Sequence, residues 1–429
     1  MAILRPFPAL CPPARSASLV AAVPHDTVDA DEARTLAEGN PLSLLHVTRP
    51  EIDLPPSIDA RSDAVLAQGL ESFERLVREA PLTLTDGDRL FVYSLRRGDH
   101  TQTGVAGCLA VAECSSGVVR PHERAPRSRE DDRTRHLVTL RAQTEPVLAC
   151  YRDSEEIDRL VERSTHRDPL FDFTASDGVA HTVWAVDQPA DLVEAFARVP
   201  RLYLADGHAT AAAACRASIE LAGIAGRAGD PERGTVLAVA FPASQLESLP
   251  CHRLVKDLGG LTRDHFLAAV REVFHARETA SPSAPRKGLG RMYFGGRWYG
   301  LDLASKLAGT MVIASREEPH NPILAVDLPV GGTISGLDVY RLQERLLRPF
   351  LGIVDPRTDR RIESLSGARD DRELVRRVDA GLAVCAFSLS SISVQDLMKV
   401  ADEGDALPPG STWFEPKLRS GLFIHQTES

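Results

Sequence analysis

The sequence predicts a mixed α/β protein of the α+β class with two domains. Strand-like apolar runs alternate with segments of helical periodicity, and several neighbouring strands are joined by short turns that suit hairpins. The 429 residues exceed what one hydrophobic core usually serves. A polar, glycine-rich stretch at 225–234 offers a boundary. We therefore predict an N-terminal domain over residues 1–225 and a C-terminal domain over residues 235–429.

Local signals assign the elements of the first domain in order. Asp29 to Glu38 predicts a helix, because Asp29 can cap it, Glu32 completes a capping box and Gly39 ends it. Apolar residues at helical spacing predict a second helix over Asp63 to Glu79. Strands are indicated at Arg89 to Leu95, Gly104 to Glu113, Val147 to Tyr151, Thr182 to Val186 and Leu202 to Leu204, with the polar stretch Arg96 to Thr103 joining the first two.

The second domain is assigned in the same way. A linker-like loop is expected at 280–290, and Gly295-Gly296 suits the turn of a hairpin. The predicted strands are Val236 to Phe241, Arg291 to Phe294, Arg297 to Leu301 and Leu382 to Phe387. Helices are predicted near Thr262 to His275, Val339 to Leu347 and Asp371 to Ala380.

Composition restricts the partners and the compartment. Fifty Lys and Arg against 60 Asp and Glu give a net charge of -10, which argues against nucleic acid as a partner. No apolar run reaches the ~18 residues that a membrane helix needs. The seven cysteines are scattered without a CxxC pair, and prolines interrupt the first residues where a secretory signal would be apolar. We expect a cytoplasmic protein with reduced thiols.

The segment Leu202 to His208 predicts a buried strand, a tight Asp206-Gly207 turn and the start of an alanine-rich helix. A helix N-terminus offers backbone N–H groups and a partial positive charge to a phosphate. Gly207 would allow close approach of the ligand, and His208 could donate to a phosphate oxygen or move a proton. In the alternative interpretation, Asp206 only caps the helix and His208 only packs against neighbouring side chains.

The turn Pro121-His122-Glu123-Arg124 follows a predicted strand. The turn could present a candidate base and a cation together. In the alternative interpretation, it forms a solvated charged loop. Arg253 and Lys256 are further cations that could meet phosphates or simply carry surface charge. The polar, aromatic segment Ser411 to Lys417 could close over a site or dock the chain end.

The sequence has no Walker motif, HExxH pair or nucleophile elbow. Dedicated metal binding by His and Cys is therefore not indicated. Magnesium that arrives with a nucleotide needs only one or two carboxylates, such as Asp206.

Ordered blocks along the chain resemble the domain-of-unknown-function 1015 family, from about residue 4 to residue 424. The blocks are RPFPAL, NPLSLLHVTRPEIDLPP, the Pro121-His122-Glu123 turn, EDDRTRH, LYLADGH, HRLVKDL, DPRTDRRI and STWFEPKLRSGL. The family's D-G-H-H-R motif is similar to that of free serine kinases in the ParB/sulfiredoxin-like group, where it lies against nucleotide phosphates. The resemblance implies a ParB/sulfiredoxin-like nucleotide-binding element in the N-terminal half.

Carried over to this chain, the resemblance assigns the phosphate side to Asp206, Gly207 and His208. It also matches His122 and Glu123 to the family's His-Glu turn. It implies a kinase that uses Mg²⁺ with ATP or ADP, acts on free serine or a similar hydroxy acid, and has Glu123 as general base.

Where the motif continues His-Arg, this chain has Ala209-Thr210, so the expected phosphate-binding arginine is absent. Arg124, Arg253 or Lys256 are the candidate replacements. The alternative hypothesis is a nucleotide- or metabolite-binding protein without catalysis.

Overall fold

The computed structural model describes residues 2–224, 234–279, 284–305, 311–313, 323–325, 331–356, 358–369 and 371–427. Most of the predicted boundary stretch at 225–234 and the start of the predicted loop at 280–290 lie outside these ranges. The α+β class is confirmed: helices and largely antiparallel sheets share the chain. Each helix of the described ranges is too short or too polar to cross a bilayer.

The strands are, in order, Leu4–Arg5 (β1), Ala9–Cys11 (β2), Thr83–Leu84 (β3), Phe91–Arg97 (β4), His100–Ala110 (β5), Val119–Pro121 (β6), Ala142–Gln143 (β7), Val147–Tyr151 (β8), Phe171–Thr174 (β9), Ala180–Ala185 (β10), Leu202–Asp206 (β11), Thr235–Pro242 (β12), Glu247–Leu249 (β13), Cys251–Val255 (β14), Arg277–Thr279 (β15), Leu289–Phe294 (β16), Arg297–Asp302 (β17), Met311–Ile313 (β18), Ile323–Ala325 (β19), Ile362–Ser366 (β20), Cys385–Ser388 (β21), Trp413–Glu415 (β22) and Ile424–Gln426 (β23).

The α-helices are Ala14–Val20 (α1), Ala30–Ala37 (α2), Leu45–Thr48 (α3), Asp63–Glu79 (α4), Val111–Ser115 (α5), Arg127–Leu140 (α6), Glu155–Thr165 (α7), Pro189–Ala197 (α8), His208–Ile224 (α9), Arg263–Phe274 (α10), Asp338–Leu342 (α11), Arg348–Leu351 (α12), Asp371–Asp379 (α13) and Val394–Glu403 (α14). Short 3₁₀ turns lie at Pro50–Asp53, Ala243–Gln245 and Ile334–Gly336, and a π-helical segment at Gln343–Leu347 separates α11 from α12.

The chain forms two compact units. The first contains Met1–Pro121, Ala125–Leu246 and Pro416–Ser429, and the second contains His122–Arg124 and Glu247–Glu415. The domain division between residues 225 and 235 stays a prediction.

The first unit is built on a nine-stranded mixed sheet of order β6-β11-β8-β12-β5-β4-β10-β9, with β1 added beside β5. Two pairs, β6 with β11 and β8 with β12, are parallel, and the other pairs are antiparallel. A small sheet of order β3-β2-β23-β7 brings the C-terminal strand beside the N-terminal one. Alternate residues of β5 and β12, such as Val105, Leu109, Val236 and Ala238, fill the core under the helices.

The second unit contains an antiparallel sheet of order β15-β17-β16-β21-β14-β20. Its core includes Leu254, Tyr293, Leu374 and Ala386, with Trp298 packed against them. The predicted Gly295-Gly296 hairpin turn is confirmed, because both glycines have positive φ angles and join β16 to β17.

Several predicted elements need correction. The stretch Arg96 to Thr103 is no polar connection, because Arg97 pairs directly with His100 and leaves a two-residue turn at Gly98-Asp99. The predicted strand ending at Glu113 stops at Ala110, and α5 follows it. The first strand continues to Arg97, past its predicted end at Leu95, whereas the second ends before its apolar run does. In both places only pairing with neighbouring strands fixes the limit.

Candidate functional site

The predicted turn between β11 and α9 forms. Gly207 has φ +83°, and a Cβ atom placed on it would lie 3.0 Å from Cγ1 of Val147. Only glycine meets both demands, the left-handed backbone and the close approach of β8. The Gly207 carbonyl accepts from the N–H of Ala211 at 2.8 Å and so starts the helix. The Gly207 N–H donates to Oδ1 of Asp206 at 2.8 Å.

Asp206 also forms an ion pair that the sequence did not predict. Nζ of Lys417 lies 2.6 Å from its Oδ2 atom, and the lysine side chain is only 12% exposed. Burial alone would raise the pKa of Asp206, but Lys417 and the Gly207 N–H outweigh it, so the pKa lies below its usual value. The end of β11 therefore carries an ionised carboxylate beside a lysine.

Two neighbouring cavities adjoin this turn, and they share the walls formed by His25 and Asp26. The smaller, of about 40 Å³, has room for little more than a water molecule and reaches the turn. The larger has a volume of about 390 Å³. We call the two together the α9 cleft. The lining of the smaller cavity includes Glu145, Asp206, Gly207, Thr210 and Lys417. The lining of the larger cavity includes Ala209, His136 and the five arginines Arg49, Arg61, Arg129, Arg133 and Arg135.

A buried ion-pair network forms one wall of the cleft. Arg133 and His25 both pair with Glu145, with Nδ1 of His25 at 3.0 Å, and all three lie in the first unit. Burial would raise the pKa of Glu145, but Arg133 and then His25 bring it well below its usual value. Glu145 is therefore anionic and holds both partners against the cleft.

The other cleft arginines differ in how far their charge is neutralised. Arg49 pairs with Glu51 at 2.6 Å, Arg61 with Asp132 at 3.0 Å and Arg135 with Asp63 at 2.5 Å. Among the described residues, exposed Arg129 forms neither an ion pair nor a side-chain hydrogen bond. The same holds for Asp26, the exposed carboxylate common to both cavities. Among the described residues of the cleft, Arg129 is thus a cation and Asp26 a carboxylate whose charge no ion pair neutralises.

His208 is the first residue of α9 in the first unit, burial lowers its pKa to about 4, and its roles stay predictions. The other predicted site residues belong to the second unit. Glu123 accepts the N–H groups of Gly410 at 3.0 Å and Ser411 at 2.9 Å, one on each carboxylate oxygen. Buried His122 lies 3.0 Å from Oγ1 of Thr412 through its Nε2 atom. The Glu123 carboxylate therefore holds the backbone at Gly410 and Ser411.

The predicted cations of the second unit are placed as follows. Arg253 is 1% exposed and donates to the Gly410 carbonyl at 2.6 Å and to Oγ of Ser364 at 2.8 Å. Lys256 pairs with Glu363 at 2.8 Å. Arg124 is exposed and lines a cavity of about 570 Å³ within that unit. Their roles in binding, and those of His122 and Glu123 in catalysis, stay predictions.

Magnesium fits this site poorly. Both oxygens of Asp206 accept from N–H donors, and no group of three His, Cys, Asp or Glu residues suited to a metal occurs in the described ranges. The role of Asp206 as a metal ligand stays a prediction, and we derive no step through Mg²⁺.

Comparison with known proteins adds the following. The model of the family described as protein of unknown function (DUF1015) matches residues 4–340. No curated protein matches the chain.

Three solved structures can be compared with the chain. A free serine kinase in complex with AMP is 8% identical, with a TM-score of 0.37 over 74% of this chain and 91% of that chain. SbnI with a C-terminal truncation, from Staphylococcus aureus, is 10% identical, with a TM-score of 0.38 over 74% and 85%. A conserved hypothetical protein from Pyrococcus furiosus is 9% identical, with a TM-score of 0.36 over 74% and 95%. Because its family model covers most of the sequence, the chain belongs to the DUF1015 family of proteins of unknown function.

Proposed function

We propose that the first unit binds a nucleotide by its phosphates at the β11–α9 turn and transfers a phosphoryl group to a small hydroxy acid such as free serine. The observation that carries the proposal is the α9 cleft itself. It joins the left-handed turn at Gly207 and the start of α9 to Lys417 and a wall of arginines. Backbone N–H groups at a helix start and nearby cations are what phosphate oxygens require.

The cleft supports this proposal although the family's phosphate-binding arginine is missing. Thr210 stands at that position and lines the smaller cavity, while Ala209 lines the larger one. Short side chains leave that space open, and Lys417 and Arg129 bring positive charge from other segments. ATP and ADP are the donors that the family resemblance implies.

Phosphoryl transfer needs mainly position and charge neutralisation, with a base for the acceptor hydroxyl. The hydroxyl oxygen forms a bond to phosphorus, its proton passes to a carboxylate, and the bond to the leaving phosphate breaks. Glu123 is the base that the family resemblance implies. Asp26 is a second candidate, because its carboxylate is exposed in the cleft and unpaired among the described residues.

The alternative is nucleotide binding without turnover. It is favoured by the Asp206–Lys417 ion pair, which neutralises the lysine nearest the turn, and by the loss of the arginine. Affinity would then remain while the chemistry is absent.

The experiment is to incubate the full chain with Mg²⁺, ATP or ADP, and a pool of hydroxy acids that includes serine, and to search for a phosphorylated product by mass spectrometry. Asp26→Asn and Glu123→Gln test the two bases, and Asp99→Asn, on the exposed β4–β5 turn, is the matched control. Product that disappears in only one of the two variants identifies the base. Binding without product moves the conclusion to the alternative, and absence of both binding and product refutes the proposal.

A further inference from the structure

Two of the seven cysteines differ from the rest. Five are buried in the folded chain, whereas Cys114 in α5 and Cys215 in α9 are half-buried. Both pack at the edge of the same hydrophobic core in the first unit. The thiols of this pair are therefore the ones that a small solute can approach.

The helices that carry them meet at one point. A Cβ atom on Gly234 would lie 2.9 Å from Val111 in α5 and 3.0 Å from Ser218 in α9. Cys114 follows Val111 by three residues and Cys215 precedes Ser218 by three, so each lies on the same helix face as its neighbour at that contact. The side-chain interaction between Cys114 and Cys215 is the largest influence on the pKa of each thiol, so the two sulfurs are neighbours.

The pair also has the asymmetry of an attacking and a resolving thiol. The side-chain interaction with Cys215 lowers the pKa of Cys114, although burial and Glu113 oppose the shift. Cys215 keeps its proton, because the pKa of this thiol is raised by the same interaction. By contrast, burial raises the pKa of Cys11 and of Cys150 to about 12.

We propose that Cys114 and Cys215 are a redox-active pair that forms an intramolecular disulfide when a peroxide reaches the first unit. The Cys114 thiolate attacks the peroxide O–O bond, giving a sulfenic acid and, with a proton, water. The Cys215 thiol then attacks that sulfur, the S–O bond breaks, and a second water leaves. The two neighbouring sulfurs close to about 2.05 Å. The peroxide is reduced and the two thiols are oxidised.

The test is to treat the reduced full-length chain with hydrogen peroxide, alkylate the remaining thiols and map the peptides without reduction. We expect a mass loss of two hydrogen atoms, with five cysteines alkylated and one cross-link between the peptides of Cys114 and Cys215. Cleavage after Glu113 separates Cys114 from Cys108, so the linked residue is identified directly.

Single variants establish the order of the steps. Cys215→Ser should lose the cross-link and accumulate a sulfenic acid on Cys114 that dimedone traps, whereas Cys114→Ser should lose both products. Far-ultraviolet circular dichroism of each variant checks that the fold remains. A cross-link through another cysteine, or oxidation of Cys114 to a sulfinic acid without any cross-link in the unmodified chain, would overturn the proposal.

Discussion

The two turns that carry the candidate catalytic residues both have a histidine next to an acidic residue or close to one, and their surroundings differ. At the β11–α9 turn, Asp206 and Gly207 line the smaller cavity of the α9 cleft, and this cavity adjoins the larger one of about 390 Å³ in the first unit. At the turn after β6, both oxygens of Glu123 are taken up by the N–H groups of Gly410 and Ser411. The same residue types thus face a cavity in one place and hold a backbone segment in the other. Both carboxylates accept hydrogen bonds on each oxygen, so the comparison teaches that an adjoining cavity, more than the motif itself, distinguishes a candidate binding site from a structural contact.

The two units should also differ in their response to acid, and this is the largest effect that we predict. Burial lowers the pKa of three first-unit histidines, to about 3 for His136 and His181 and to about 4 for His208. In the second unit it lowers the pKa of His252 to about 4. An unfolded histidine titrates near 6.5, so below that pH the unfolded state binds more protons than the folded state. Stability is therefore full above pH 6.5 and is lost as the pH falls.

At pH 5 each of these histidines should cost about 2 kcal/mol of unfolding free energy relative to pH 7. With three such histidines against one, the first unit should lose about 6 kcal/mol and the second about 2 kcal/mol. Trp184 reports on the first unit, and Trp298 and Trp413 report on the second. Urea unfolding followed by fluorescence in Trp184→Phe and in the Trp298→Phe/Trp413→Phe double variant measures each unit. Equal losses of unfolding free energy, measured through Trp184 and through Trp298 with Trp413, would contradict the expected difference between the units.

The next prediction tests whether Glu123 holds structure. Glu123→Ala leaves two backbone N–H groups without their acceptor and should lower the unfolding free energy by about 2–3 kcal/mol. Arg124→Ala, at the exposed neighbouring position, should change it by less than about 0.5 kcal/mol. Urea unfolding monitored by Trp298 and Trp413 gives both values. Unchanged stability together with lost turnover would instead identify Glu123 as the catalytic base.

How much of this could be predicted from the sequence depends on distance along the chain. The capping box at Asp29 and Glu32, the helix Asp63–Glu79 and the glycine hairpin all form as predicted, because neighbours within a few residues determine them. Strand limits were less well predicted. The segment 104–113 consists of apolar residues and glycine up to Ala112, and the end of its strand at Ala110 depends on pairing with β12.

The candidate site follows the same rule. Asp206, Gly207 and His208 could be found because they are contiguous. Lys417 lies 211 residues from Asp206, and His25 lies 120 residues from Glu145, so their ion pairs depend on the order of strands in the sheets. Lys417 belongs to the C-terminal segment that the sequence marked as polar and aromatic, but nothing local indicated Asp206 as its partner.

The fit of Gly207 against Val147 gives a smaller effect. Gly207→Ala should cost about 2 kcal/mol, since it adds a left-handed alanine and a close contact with the Val147 side chain. Gly98→Ala is the matched control: its φ of +59° is also left-handed, but no atom lies within 4 Å of the added Cβ, so about 1 kcal/mol is expected.

A double-mutant cycle separates the two parts of the Gly207 penalty. In a Val147→Ala background, the cost of Gly207→Ala should fall towards that of the Gly98 control but stay above it, because the contact with Cγ1 at 3.0 Å is removed while those with Cβ at 3.2 Å and Cα at 3.3 Å remain. Thermal unfolding of the four variants gives the coupling. An unchanged cost in that background would show that the packing of β8 does not require glycine at the turn.

The Asp206–Lys417 ion pair makes the last and smallest prediction, which concerns the charge that the turn presents to a phosphate. Lys417→Met should weaken ADP binding about tenfold, because it removes the cation and leaves the Asp206 carboxylate facing the ligand. Lys417→Arg should keep most of the affinity. Asp206→Asn should strengthen ADP binding when Mg²⁺ is chelated, because the positive charge of Lys417 is then no longer neutralised by the carboxylate. If Asp206→Asn instead weakens binding only when Mg²⁺ is present, the carboxylate is a metal ligand in the complex, and Lys417 must leave it when the nucleotide binds. Calorimetric titration of the three variants with ADP, with and without Mg²⁺, distinguishes these outcomes.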